Sequence, residues 1–229
     1  PRPTTSPQQI TIRHGLDGVV VVDAPVGGHT ICGQPFWPDF FDGWGDAVHQ
    51  DTYSPPDQFN IQNLWDVGDW PCFSKFYVTF PLDRVPAGQA IISATLTLHH
   101  WGNADPDLAQ PSEIQVLTVV EPWTEDTLTW NNAPLAVENI SRTTVYPVSS
   151  AADWPGIPYD WDVSRAAARA YAAGEPLRLA LYSADGPYHS GKYFSSSETG
   201  DWNEVARPAL VVSWGEPVPF EPAQFIPVV

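Results

Sequence analysis

The sequence predicts an all-β, jelly-roll β-sandwich, and three observations carry that prediction. Apolar residues recur with period two over short runs, clusters of Gly, Pro, Asn, Asp and Ser separate the runs, and a single segment has the composition of a helix. The 229 residues are 43% hydrophobic, enough for one large β domain with a sizeable core and too much for a disordered polymer.

The elements follow in order. Phe76, Val78, Phe80 and Leu82 alternate with Lys75, Tyr77, Thr79 and Pro81, and Ile92, Ala94, Leu96 and Leu98 alternate with Ser93, Thr95, Thr97 and His99. Each run reads as a strand with one buried face, and Val85-Pro-Ala-Gly88 supplies the turn between them. Further strand-like runs lie at 114–120, 143–148, 177–182 and 209–214. Residues 164–174 break the pattern. Ser164 is placed to cap the first turn, Ala fills the interior and Gly174 suits the left-handed stop, so a short helix is expected to close one open end of the sandwich. The chain divides into an extended N-terminal segment (1–15), the jelly-roll domain (16–215) and a Pro-rich apolar tail (216–229).

The net charge is −17, from 27 acidic against 10 basic residues. Such a surface repels phosphate backbones and anionic lipids, which excludes nucleic acid and membrane-surface partners. No apolar run reaches the roughly 20 residues of a membrane helix. The sequence begins at Pro1 and has no Met, which leads us to expect a processed, secreted, extracellular or cell-surface product. In that setting Cys32 and Cys72 read as a disulfide closing a loop of about 40 residues, a contribution of roughly 4 kcal/mol. The alternative is two free buried thiols. No cysteine spacing suggests zinc.

The run Ser74-Lys-Phe-Tyr-Val-Thr-Phe-Pro-Leu82, the turn Val85-Pro-Ala-Gly88 and the run Ile91-Ile-Ser-Ala-Thr-Leu-Thr-Leu98 together resemble the DNRLRE-type domains, also grouped as carbohydrate-binding module family 96. The resemblance continues through Trp123-Thr-Glu-Asp-Thr-Leu-Thr-Trp-Asn-Asn-Ala-Pro134, Tyr159-Asp-Trp-Asp-Val163, Phe194-Ser-Ser-Ser-Glu198, Arg207-Pro208 and Leu210-Val-Val-Ser-Trp214. With Asp51-Thr-Tyr53 and Val67-Gly-Asp-Trp70 it spans residues 16 to 215. It implies a secreted jelly-roll sandwich of the kind appended to surface proteins and polysaccharide-acting enzymes, some of which bind alginate-like polymers. The family's basic-then-acidic strand is Val78-Thr-Phe-Pro-Leu82 here, with Thr79 and Pro81 at the charged positions. If the family's arginine there helps to hold an acidic sugar, this chain has lost that contact.

Chemistry-bearing motifs are sparse. The sequence has no Gly-x-Ser-x-Gly elbow, phosphate loop or HExxH helix. His99 and His100 are neighbours on a strand, so their rings face opposite ways. Pro1 excludes a copper site built on an amino-terminal histidine. Enzyme activity is not expected.

Trp123, Trp130, Trp161 and Trp214 are read as packing residues. The segment 35–46 instead gathers Phe36, Trp37, Phe40, Phe41 and Trp44 with no strand or helix period. It is a sugar platform, a protein contact, or a satellite cluster pinned by Cys32. The rings singled out for carbohydrate or partner contact are Trp37, Trp44, Trp65, Trp70 and Trp202. Asp39, Asp42, Asp46 and Asp51 could supply hard oxygen ligands to a structural Ca²⁺, or serve as turn carboxylates; no other cofactor is implied. Asn139-Ile-Ser141 is an N-glycosylation sequon, and Thr4-Thr5-Ser6 could carry O-linked sugars.

Two functions remain, both non-catalytic. The first is a structural subunit of an extracellular fibre or surface assembly. Its apolar tail (Phe220, Phe225, Ile226, Val228, Val229) would dock on a neighbouring copy, and Ile10, Ile12 and 19–22 offer a second strand. The alternative is a carbohydrate-binding module that recognises a polysaccharide through its Trp-rich loops.

Overall fold

Among the described residues, eleven antiparallel strands and one α-helix make up a mostly β fold, and the inward alternation foreseen from the sequence accounts for most of its core. The computed structural model describes residues 6–27, 57–67, 70–103, 109–184 and 191–217, with the side chains of 64–73 outside the description. The strands are β1 (Gln8–Arg13), β2 (Val22–Gly27), β3 (Gln58–Val67), β4 (Trp70–Phe80), β5 (Ala90–Asn103), β6 (Ser112–Val119), β7 (Ala136–Val145), β8 (Ile157–Asp162), β9 (Leu177–Ser183), β10 (Lys192–Ser195) and β11 (Ala209–Gly215). The helix α1 is Ser164–Ala173.

The hydrogen-bonded path runs β1-β11-β5-β10-β3-β4-β9-β6-β7, with β8 added to β5 and β2 added to β4. The path curls into two layers because β3 serves both. Its first residues, Gln58 to Ile61, pair with β10, and from Gln62 it pairs with β4. At the other side, β7 meets β8 through side chains: Thr143 Oγ1 donates to the Asp160 carbonyl at 2.6 Å, and the Tyr146 N–H donates to the Tyr159 hydroxyl at 3.1 Å. The two layers enclose one apolar core. Leu96, Leu98, Leu210 and Phe194 come from one, and Phe76, Val78, Leu179 and Val116 from the other. Phe59 and Phe76 stack at 3.6 Å across the β3–β4 junction.

Ile92 departs from the simple alternation and is 54% exposed. A bulge places Ser213 opposite Ser93 and Trp214 opposite Ile91, so Ile92 is skipped and Ile91 packs on the core in its place. Tyr77 lies on the outward face of β4 yet is buried, because the segment between β6 and β7 covers it. The Tyr77 hydroxyl donates to the Pro134 carbonyl at 3.0 Å.

The helix starts differently from expectation. Ser164 is its first residue and caps nothing: Val163 is the N-cap, and the Asp162 carboxylate accepts the Ser164 N–H at 3.0 Å. The Ser164 hydroxyl instead accepts the Ala94 N–H, which ties the helix to β5. Gly174 does end it, in the left-handed conformation at φ 69°. Among the described residues no helix is long and apolar enough to cross a membrane.

Candidate functional site

Among the described residues, Trp154 and Trp202 are the large, mostly exposed tryptophans outside both core clusters. Trp154 and Trp202 are 61% and 65% exposed, and their rings meet edge to face at 4.6 Å with an interplanar angle of 87°. Large bare aromatics side by side give up burial that a fold would otherwise use, so what holds them there bears on function.

Trp154 sits in the turn between β7 and β8. The Gly156 N–H donates to the Asp153 carbonyl at 2.7 Å, closing the turn, and the Ala152 N–H donates to the Trp101 carbonyl on β5 at 2.8 Å. Gly156 has φ 99°, and a methyl group there would come within 2.9 Å of the His100 carbonyl oxygen. Only glycine allows the turn to lie so close against β5.

Trp202 is carried by a short 3-10 helix, Asp201–Ala206, just before β11. Its indole folds back over Gly200, where an added Cβ would lie 2.8 Å from the ring. Arg207 fixes this segment from below. Its Nε donates to the Thr199 carbonyl at 2.7 Å, one terminal nitrogen to the Asp201 carboxylate at 2.6 Å and the other to the His14 carbonyl at 3.1 Å. One buried guanidinium thus binds both flanks of Trp202 to the loop after β1.

His99 links the two supports. It is buried on β5, its Cβ would be 3.4 Å from a methyl at Gly156, and it hydrogen-bonds the backbone of Ala206. Burial lowers its pKa. The Ala206 hydrogen bond and Asp160 act in the opposite sense, while Arg13 reinforces the lowering. His99 thus touches the turn that follows Trp154 and the end of the segment that carries Trp202.

The other sequence-predicted residues fall elsewhere. Trp65 and Trp70 lie on β3 and β4, flanking the end where Val67 pairs with Trp70, and Cys72 lies opposite Leu64. Cys32, Trp37, Trp44, Asp39, Asp42, Asp46, Asp51, Thr4, Thr5 and the tail residues Phe220, Phe225, Ile226, Val228 and Val229 lie outside the described residues. Asn139 is exposed on β7, the last strand of the path. Among the described residues, no group of three His, Cys, Asp or Glu is arranged to hold a metal ion.

Trp161 and Trp214 are core residues, and the Trp161 indole N–H donates to the Ile114 carbonyl at 2.9 Å. Trp123 and Trp130 pack on a second apolar cluster with Ala24, Val26, Tyr77 and Ala180, outside the β4–β9 layer. Trp123 meets Tyr77 edge to face at 6.0 Å, and the Lys75 ammonium lies 4.3 Å over the Trp130 ring and 5.1 Å from that of Tyr182. A cleft of about 760 Å³ opens between the turn after β4 and the end of α1, lined by Leu82, Val85, Tyr171 and Pro176. The hydroxyl of its one aromatic, Tyr171, is already bonded to the Pro86 carbonyl and the Gln89 N–H.

The sequence pointed to Trp202 and missed Trp154. The stretch Asp153-Trp-Pro-Gly156 is a turn signature with an aromatic inside it, which was the available signal.

The exposed indole pair thus sits on the segments that precede β8 and β11 of a two-layer β fold. The chain belongs to carbohydrate-binding module family 96, whose model matches residues 47–213 and so includes both tryptophans. None of the curated proteins matches the chain.

Proposed function

We propose that this chain is a non-catalytic polysaccharide-binding module of an extracellular protein, and that Trp154 and Trp202 form its sugar contact. The observation that carries the reading is the exposed indole pair, held by Gly156, Gly200, His99 and Arg207 within a chain of a carbohydrate-binding family. The faces of a pyranose ring carry C–H groups that stack on an indole, while its edges carry hydroxyls that seek acceptors. The surrounding Asp153, Asp201 and Glu204 supply such acceptors. The fibre reading draws on the tail beyond Pro217 and on the segment near Ile10 and Ile12. That segment gives it no support, because β1 pairs along its whole length with β11 of the same chain.

The test is binding of the full chain to a panel of immobilised polysaccharides, beside Trp202→Ala and Trp154→Ala. Retention of the wild-type protein and a loss of about tenfold or more in either variant, with unchanged melting, supports the site. Retention that is equal in all three proteins would place the sugar elsewhere.

A further inference from the structure

We infer that the indole pair takes a single chain of uncharged sugars, not a uronate polymer and not the face of a crystalline polysaccharide. The inference rests on the reading of Trp154 and Trp202 as the sugar contact and adds the class of ligand.

The charge argument begins with the cations. A uronate residue needs a guanidinium or ammonium free to meet its carboxylate. The basic side chains supporting the Trp202 segment are Arg207 and Arg13. Arg207 is 7% exposed and already makes three hydrogen bonds, to Thr199, His14 and Asp201. Arg13 is 14% exposed and is paired with Glu204 at 3.3 Å. Both face inward, and both are partnered. Of the exposed carboxylates here, Asp201 and Glu204 are paired with those two arginines and Asp153 is not, so the five groups together carry a net charge of about −1 and offer no spare cation. On a chain of net charge −17 this border repels a polyanion over about 10 Å at ordinary ionic strength. A neutral sugar meets no such barrier, and its hydroxyls find the same carboxylates as acceptors.

The geometric argument is separate. A crystalline polysaccharide presents sugar rings in one plane, and several aromatic rings must be coplanar to lie flat on it together. Here the two rings are 87° apart. When one lies flat, the other stands on edge. A free chain, whose successive residues rotate about the glycosidic bonds, can offer a face to one ring and an edge to the next.

The experiment measures binding of the full chain to two immobilised sets. One is soluble neutral polysaccharides (a glucan, a mannan, a galactan and a xylan), and the other is uronans (alginate and pectate). Each is read at low salt and at about 0.5 M NaCl. Depletion by crystalline cellulose and crystalline chitin runs alongside, and Trp202→Ala is carried through every arm. The expected result is binding to at least one neutral polymer, changed less than about twofold by salt and weakened about tenfold or more in Trp202→Ala, with no depletion by the crystalline solids. Salt-sensitive binding to uronans alone, lost in Trp202→Ala, would overturn the neutral-ligand inference and leave the indole site standing. Depletion by a crystalline solid, lost in the same variant, would overturn the single-chain inference in the same way. Binding that Trp202→Ala leaves intact, or no binding in any arm, overturns the site itself and the inference with it.

Discussion

Among the described residues, two groups of tryptophans outside the main core differ in what surrounds them. Trp123 and Trp130, on the β6–β7 segment, have apolar neighbours beneath them: Ala24, Val26, Tyr77 and Ala180 offer a floor that closes over with burial. Trp202 lies over Gly200, Trp154 leads into a turn that Gly156 holds against β5, and the two rings have each other beside them. An indole laid on an apolar sheet face works as a lid. An indole laid over Gly200, beside a turn that needs Gly156, stays 65% exposed to solvent. Residue type is the same in both places, and the floor decides the role.

The comparison makes its largest prediction about stability. Trp123→Ala removes a large ring from a packed cluster and should cost about 3 kcal/mol, read as a lower urea midpoint. Trp202→Ala removes an equally large ring from solvent and should cost within about 0.5 kcal/mol. A substantial loss of stability from Trp202→Ala would make the pair a structural element and dissolve the distinction.

The two regions should also respond to pH in opposite directions. His100 is fully buried on β5, donates from Nε2 to the Gly102 carbonyl, and burial depresses its pKa to about 4. Its unfolded value is about 6.5, so the unfolded chain takes up the proton first. This contribution is intact above about pH 6.5, falls as pH drops toward 4, and amounts to about 3 kcal/mol. His99, lowered for the same first reason, adds to the loss. Beside Trp123 the sign reverses. Burial, then repulsion from Glu198, raises Glu125 to about 7, and Asp23, fully buried with Ser197 donating to its Oδ2, is raised well above the usual carboxylate range. A raised carboxylate favours the fold below its unfolded pKa, and that advantage is lost as pH climbs from about 4.5 through 7. Glu125→Gln should therefore stabilise the protein at pH 8 and do nothing at pH 4. His100→Asn should flatten the acid limb even if it lowers stability throughout. Denaturant midpoints measured across pH 4 to 8 check both; a Glu125→Gln gain that is constant with pH would break the contrast.

A smaller effect separates placement from mere presence. Gly200→Ala puts a methyl 2.8 Å from the Trp202 ring and must swing the indole aside. Affinity for the polysaccharide should fall by about tenfold while the urea midpoint moves little. If affinity is unchanged, the orientation of that ring does not matter to the ligand.

Much of this was legible in the sequence and some could not be. Period-two alternation gave the inner faces of β4 and β5, and Gly174 marked the helix end, because these depend on neighbours along the chain. Ile92 was misplaced because a bulge against Trp214 shifts the pattern by one residue, and bulges leave no periodic trace. Tyr77 looked exposed because its cover is contributed by Pro134, 57 positions away. The same limit hid the site. Trp202 could be named from its loop, but its pairing with Trp154 depends on Arg207 reaching His14 across 193 positions and on His99 touching both segments. Local patterning reports faces, and juxtaposition comes only from the closed fold.

The smallest expected effect concerns Lys75, a cation at the covered cluster. Lys75 lies over Trp130 and beside Tyr182, and burial lowers its pKa, so its charge is held by ring faces on the β4–β9 layer. If that cluster is scaffold, Lys75→Met keeps the stem's packing and loses only the cation–π term, about 0.5 to 1 kcal/mol of stability. Polysaccharide affinity should stay where it was, because the ligand meets the indoles of Trp154 and Trp202 instead. A fall in affinity without a fall in stability would reassign the roles: Lys75 with Trp130 and Tyr182 would be reading an anionic sugar, and the exposed pair would be the ornament of a different partner. The value of so small a stability change is that it leaves the fold intact, so the binding readout is not confounded by unfolding.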